Sequence, residues 1–314
     1  MSAMDQQSIS NWSEYNKSLV QRGSIFLWID EDEIRSWFSG TKNERSRPRV
    51  YSDVAISVAL RLKLLFGLAW RAVQGFLDSL VHALGLAILV PHHTTFSRRV
   101  AQLSLPIETF DIDPEKPITR AVDGSGLKVY GEGEWKTRTH GVQKRRTWRK
   151  LHIGIDVETR QIVAGVVTTN DVSDGEVLPE LLEQASDLKI GTVAGDGGYD
   201  SHAIFDAIEE LGATAKIPPH KGAKIKKHGN TASPKLPRDK AVRGMRALGR
   251  KEWKKEIGYH QRSLVENTFG RIKQVLSGKL TSRKFESQVA EAFMMLSIMN
   301  RMAGYGLPQY ENKN

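Results

Sequence analysis

Four residues near the end of the chain combine an acid, two cations and a phenol at helical spacing. In GYHQRSLVENTFGRIKQVL, residues 258–276, Tyr259, Arg262 and Lys273 stand at −7, −4 and +7 from Glu266. At 100° per residue these offsets place all four within a stripe roughly 60° wide on an α-helix. Val265, Phe269, Ile272 and Leu276 form a neighbouring apolar face, enough to dock the helix on a core and hold the polar stripe towards a cleft. Taken alone, the stripe also reads as a solvated face with an i,i+4 ion pair between Arg262 and Glu266. Its chemistry depends on what faces it.

Two further acids close apolar runs, Asp123 in ITRAVD and Asp196 in TVAGD. Singly, each reads as a turn former, because DGSG and DGGYD have turn composition. Jointly, acids at the ends of two neighbouring strands and a third from a helix packed across them form the oxygen donor set a hard divalent cation requires. Two such ions roughly 4 Å apart activate an attacking oxygen and stabilise a leaving one in phosphodiester displacement. Asp200 reads instead as the N-cap of a helix starting near Ser201, and Asp156 as a hairpin residue. His92 and His93 have no acid at ligand spacing, so no zinc site is expected there. Neither GxGxxG nor GxxxxGK[ST] occurs at a strand-to-helix turn, so no nucleotide is expected either.

The chain has 314 residues and no cysteine, which excludes disulfides, thiolate metal sites and cysteine nucleophiles. MSAMDQQSIS lacks the pattern of a signal peptide. VAISVALRLKLLF and SLVHALGLAILV are too short, or interrupted by Arg61 and Lys63, to span a membrane, so a soluble cytoplasmic protein is expected. The net charge is +10, which points to a polyanionic partner. Between Lys216 and Lys255, 14 Lys and Arg stand against Asp239 and Glu252, a net +12, leaving about −2 for the rest of the chain. Charge so concentrated, with Trp253 inside it, suits phosphate contacts.

These residues must be positioned by the rest of the chain. The first part carries Trp12, Trp28 and Trp37 and ends in the basic run SGTKNERSRPR. DVAISVALRLKLLFG predicts a helix capped by Asp53 and ending near Gly67, and LAWRAVQGFLDSLVHALG predicts a second. Thr94 or Thr95 caps a short third helix, TTFSRRVAQLS, that displays Arg98 and Arg99 side by side. The three read as a helix-turn-helix whose last element enters a major groove. After LPIETFDIDPEKP the character changes to strands. PITRAVDGSGLKVYG reads as a hairpin turning at Asp-Gly-Ser-Gly; RKLHIGIDV and QIVAGVVTTN form a second hairpin. Then come the helix SDGEVLPELLEQASDL, the strand KIGTVAGD, the helix SHAIFDAIEELG and the strand ATAKIPP. From residue 117, with the first hairpin counted as one strand element, the order is three strands, helix, strand, helix, strand, which is the order of the RNase H-like fold. Between the hairpins, EWKTRTHGVQKRRTWRK holds seven cations against Glu134, with Trp135 and Trp148 at its edges, and suits a DNA channel.

With these elements in place, three boxes resemble those of the DDE transposases of bacterial insertion sequences. AVDGSGLKVYG resembles the first, GDGGYD the second, and Tyr259, Arg262, Glu266 and Lys273 meet the Y-x2-R-x3-E-x6-K signature in full. The resemblance runs over roughly residues 117–302. It implies an α/β protein: a helical, helix-turn-helix-like DNA-end-binding region at 1–110 and an RNase H-like core starting at 111–215. A basic insertion follows at 216–257, and the core resumes at 258–314 with the catalytic helix and a C-terminal helix. It implies that Asp123, Asp196 and Glu266 hold two Mg²⁺ or Mn²⁺ ions. Water then frees a 3′-hydroxyl at the transposon end, and that hydroxyl attacks target DNA. Arg262 and Lys273 would contact phosphates near the cleaved end, and Tyr259 a phosphate or its neighbours. Trp253 would stack on an unpaired base or belong to a small local core. The partners implied are double-stranded DNA, both terminal inverted repeats and target, and a second copy of the chain when DNA is bound. A metal nuclease that does not join, and a non-catalytic DNA-binding repressor, are the alternatives.

Overall fold

Apolar residues at helical spacing build one part of the molecule and β-branched runs the other, as seen in a computed structural model that describes residues 7–39, 50–129, 148–184, 187–226 and 236–312. Two units result, residues 1–106 with 284–314, and residues 107–283. The first starts with β1 (Gln7–Ile9), α1 (Trp12–Gln21), α2 (Glu31–Arg35), α3 (Asp53–Phe66), α4 (Trp70–Ala83) and α5 (His93–Arg99). Gly67 ends α3 in the left-handed conformation, φ +63°, as its place after the apolar run predicts. Two caps differ from the sequence expectation. Ser52 caps α3 through its hydroxyl, leaving Asp53 free to pair with Arg99. His92 caps α5, its Nδ1 accepting from the Thr94 N–H at 3.4 Å, where Thr94 or Thr95 was the expected cap.

The second unit begins with β2 (Ile118–Val129), a single strand of 12 residues. The hairpin expected at Asp-Gly-Ser-Gly does not form. The glycines serve the strand's neighbours instead: a Cβ on Gly124 would lie 2.5 Å from Asp174 Oδ1, and one on Gly126 would lie 3.2 Å from the Trp148 ring. The second hairpin forms as expected, from β3 (Trp148–Asp156) and β4 (Ile162–Thr169), paired antiparallel. Asp156 shapes its turn by accepting from the Thr159 N–H at 2.9 Å and its hydroxyl at 2.7 Å. Then follow α6 (Asp174–Glu183), β5 (Ile190–Ala194), α7 (His202–Glu210), β6 (Thr214–Lys216), α8 (Pro237–Leu248), α9 (Arg250–Glu256), α10 (Ser263–Val275) and β7 (Lys279–Leu280).

The sheet order is β4-β3-β2-β5-β6, with β7 paired to the far end of β2. β2 runs antiparallel to β3 and parallel to β5. A central strand flanked on one side by an antiparallel meander and on the other by parallel strands is the RNase H-like arrangement. Alternation along β2 sends Val122 into a core with Leu178 and Leu182 of α6 and Phe205 and Ile208 of α7. It sends Asp123 and Ser125 to the opposite face, where Arg262, just before α10, and Lys273 of α10 meet them.

The chain then returns to the first unit as α11 (Phe285–Gly304) and β8 (Tyr310–Asn312), the latter paired with β1. The expected division keeps 258–314 together in the core. Glu291 and Lys63 explain the return: both are buried, 2.8 Å apart, and α11 adds the buried Met294, Met295, Leu296 and Ile298 to the helical unit's core. Of EWKTRTHGVQKRRTWRK, only Trp148, Arg149 and Lys150 lie within the described residues, and of SGTKNERSRPR only Ser39 does.

Candidate active site

Strand register brings the first two acids side by side. Ala121 and Ala194 are partners in the parallel β2–β5 pair, and Asp123 and Asp196 each lie two residues further on. Asp123 is mostly buried, its side chain 18% exposed. Asp196 sits just past the end of β5, where its carboxylate accepts from the Gly198 N–H at 2.7 Å and caps a 3-10 turn.

The third acid arrives on α10. Val265, Phe269, Ile272 and Leu276 are all buried, so the apolar face docks the helix as its spacing predicts. One detail differs: Tyr259–Arg262 is a 3-10 turn, entered through Gly258 at φ +67°, and the α-helix starts at Ser263. The stripe survives because Arg262 still lies one turn before Glu266. Arg262 bridges two acids, one guanidinium nitrogen 3.3 Å from Asp123 Oδ2 and the other on Glu266. Lys273 Nζ donates to Ser125 Oγ at 2.6 Å. Gly278 makes room for it: at φ +59°, a Cβ there would stand 2.8 Å from Lys273 Cγ.

The site is electrostatically strained towards negative charge. Burial, above all, pushes the Asp123 carboxyl above its usual range; the Gly124 N–H and Arg262 oppose this, and Asp196 and Glu266 add to it. Tyr259 is raised mainly by burial. Beneath the acids lies Tyr199, wholly buried, whose hydroxyl has no partner among the described residues. Burial raises its pKa first, then Asp174, Asp123 and Asp196.

Asp174, His152 and Gly124 were not singled out by spacing. On the face of β2 opposite Asp123, Asp174 packs where a Gly124 side chain would be. His152 Nδ1 stands 3.2 Å from Asp174 Oδ1, and Lys150 Nζ 3.1 Å from it. His152, the largest influence, and Lys150 hold the Asp174 carboxyl below its usual range against burial, which pushes it up. His152 Nε2 meets Thr168 Oγ1 at 2.9 Å. A lone histidine in an apolar strand and a helix-start aspartate give no local hint that they meet.

The three acids offer only oxygen donors, which suits a hard divalent ion. Burial first, and the neighbouring acids after it, raise Asp123; a dication would offset both, so the residues fit. Arg262 is the counter-charge now standing between Asp123 and Glu266. Among the described residues, no three acidic or histidine side chains are drawn together closely enough to hold a metal ion.

Several expected DNA contacts have other neighbours. Arg98 is exposed, but Arg99 bonds the Tyr51 carbonyl and Asp53, so the two arginines are not displayed as a pair. Trp253 is 6% exposed, and a Cβ on Gly244 would stand 2.7 Å from its Nε1. The α8–α9 hairpin closes on it, so it forms the local core of the insertion; stacking on a base would require it to leave. Asp200 does not cap α7; the Ser201 hydroxyl does. Asp200, its side chain fully buried, takes Arg238 of α8 in a two-point pair at 2.6 and 2.8 Å, and the His220 N–H at 2.8 Å. Arg246 and Arg250 bond the Ala223 and Pro219 carbonyls. Part of the insertion's positive charge thus holds its own fold together.

Against known protein families, residues 114–301 match the Transposase DDE domain, and residues 20–132 match a second family of the same description. The first match takes in the sheet, all three acids, Arg262 and Lys273. With an RNase H-like core, one acid on β2, a second just past the end of the neighbouring β5 and a third tied to the first through Arg262, the chain belongs to the DDE transposases.

Proposed function

We propose that the chain cuts the ends of its own transposable element and joins them to target DNA, in the manner of a bacterial insertion-sequence transposase. The observation that carries this is the Arg262 bridge, which ties Glu266 of α10 to Asp123 of β2. A helix acid and a strand acid sharing one guanidinium are within reach of one phosphodiester. Asp123, Asp196 and Glu266 would hold two divalent cations, Mg²⁺ or Mn²⁺; when bound, these supply Lewis-acid activation of the attacking oxygen and stabilisation of the leaving one.

The chain's own residues do the rest. With the acids holding a cation, Arg262 would be free to turn its planar fork to the scissile phosphate and offset growing charge there. Lys273, held over Ser125, takes a neighbouring phosphate. Water attacks first and releases a 3′-hydroxyl; the hydroxyl then attacks a target phosphodiester, each step exchanging one P–O bond for another. The exposed Arg98 on α5 supports a role for the helical unit in binding terminal repeats, with two copies of the chain holding two ends.

The test is incubation with Mg²⁺, a labelled duplex carrying the element's terminal repeats, and a supercoiled target plasmid. Metal-dependent joined product that disappears in Glu266→Gln is the expected result. Nicking without joining would make the protein a nuclease of the same fold. Binding without cutting would make it a repressor.

A further inference from the structure

By burying Trp253, the insertion hairpin directs the next residue, Lys254, onto the ring of Tyr259. Lys254 Nζ stands 4.3 Å from the ring centroid, and the Arg262 guanidinium carbon stands 5.8 Å from it. One phenol ring therefore meets a cation from α9 and a cation from the turn that leads into α10. The two cations differ in what else they touch. Arg262 donates to Asp123 and Glu266. Lys254 is partly buried and makes no ion pair or hydrogen bond among the described residues.

The position of Lys254 is fixed by the fold. Gly244 lets α8 close onto the Trp253 indole, and the Asp200–Arg238 pair fastens α8 beside the loop that carries Asp196. Burial, then Arg250 and Arg262, lower the ammonium's pKa. A partly desolvated cation beside two guanidiniums lacks an anion.

We propose that Lys254 is a further phosphate-binding residue of this site, taking a phosphodiester oxygen of the DNA strand next to the bond presented to Asp123 and Glu266, with the Tyr259 ring as its platform. This rests on the transposase reading for the identity of the anion as DNA. It assigns the insertion a direct part in the site through its lysine, not its tryptophan.

Binding of the full chain to a duplex, measured over a range of salt without metal, tests it. Each phosphate contact steepens the fall of log K with log salt by about 0.9 on duplex DNA. Lys254→Ala and Lys254→Gln are expected to flatten the slope by that amount, so that over a four-fold rise in salt each loses roughly 3.5-fold less affinity than wild type. Lys254→Arg restores the slope, and Tyr259→Leu loses it while Tyr259→Phe, which keeps the ring, does not. Lys255→Ala, on the exposed side of the same helix, serves as the comparison. An unchanged slope in both Lys254→Ala and Lys254→Gln overturns the proposal, as does an equal loss in Lys255→Ala. A wild-type chain that binds but never cuts would contradict the transposase reading and leave this comparison intact; one that binds no duplex would overturn both.

Discussion

At the residue scale, charge balance governs the site. Asp123 is buried near two other acids, and Arg262 is the group that makes this tolerable without a metal. Asp123→Asn, Asp196→Asn and Glu266→Gln are each expected to reduce cutting to background while leaving affinity for end DNA within about two-fold, because each removes one donor and no phosphate contact. A variant that cuts at the wild-type rate removes that acid from the site. Asp200 behaves differently, being structural. Burial is the largest single influence on its carboxyl and pushes upward, but Arg238 and the His220 N–H together hold it below the usual range. A carboxyl lowered on folding contributes stability above the free aspartate value, about 3.9, and loses it as pH falls through the folded value. Asp200→Ala should therefore cost about 3 kcal/mol at pH 7 by leaving Arg238 without its partner. The difference from wild type in urea midpoint should shrink only in acid below the free aspartate value; a pH-independent difference would contradict this.

Elements decide which residues can meet. The helical spacing of Glu266, Arg262 and Lys273 was legible, since a 3.6-residue period is written in the local sequence, and so were the apolar face beside it and the β3–β4 hairpin. Asp-Gly-Ser-Gly was misleading because glycine marks both turns and close approaches. Only tertiary packing distinguishes them, and here Asp174, 50 positions away from Gly124, occupies the missing side chain's place. Gly124→Ala is expected to destabilise the second unit by about 1–3 kcal/mol, and Asp174→Ala in the same chain to recover most of it. Simple additivity in that double-mutant cycle would show that the contact is not the cause. The Asp200 cap failed for a similar reason: Ser201 satisfies the helix end as well as an aspartate would, and the arginine that claims Asp200 lies 38 positions on.

Across the whole molecule, the order of strands and helices was readable from residue 117 to β6, but the destination of the last helix was not. A buried Glu–Lys pair 228 positions apart leaves no periodic trace. Ending the chain at Arg283 would keep every strand of the RNase H-like sheet and remove the helix that completes the first unit's core. Thermal unfolding of such a chain should lose cooperative melting of the helical unit; an unchanged profile would show that α11 is dispensable there.

Everything proposed for the chemistry requires that acids from β2, the end of β5 and α10 hold one metal centre. Fe²⁺ with peroxide and ascorbate cuts the backbone beside the bound ion, and the fragments can be sized. With end DNA bound, cuts are expected close to residues 123, 196 and 266, and Asp123→Asn should abolish all three together. Cuts confined to other positions, or cuts near 196 and 266 that persist in Asp123→Asn, would contradict a shared centre.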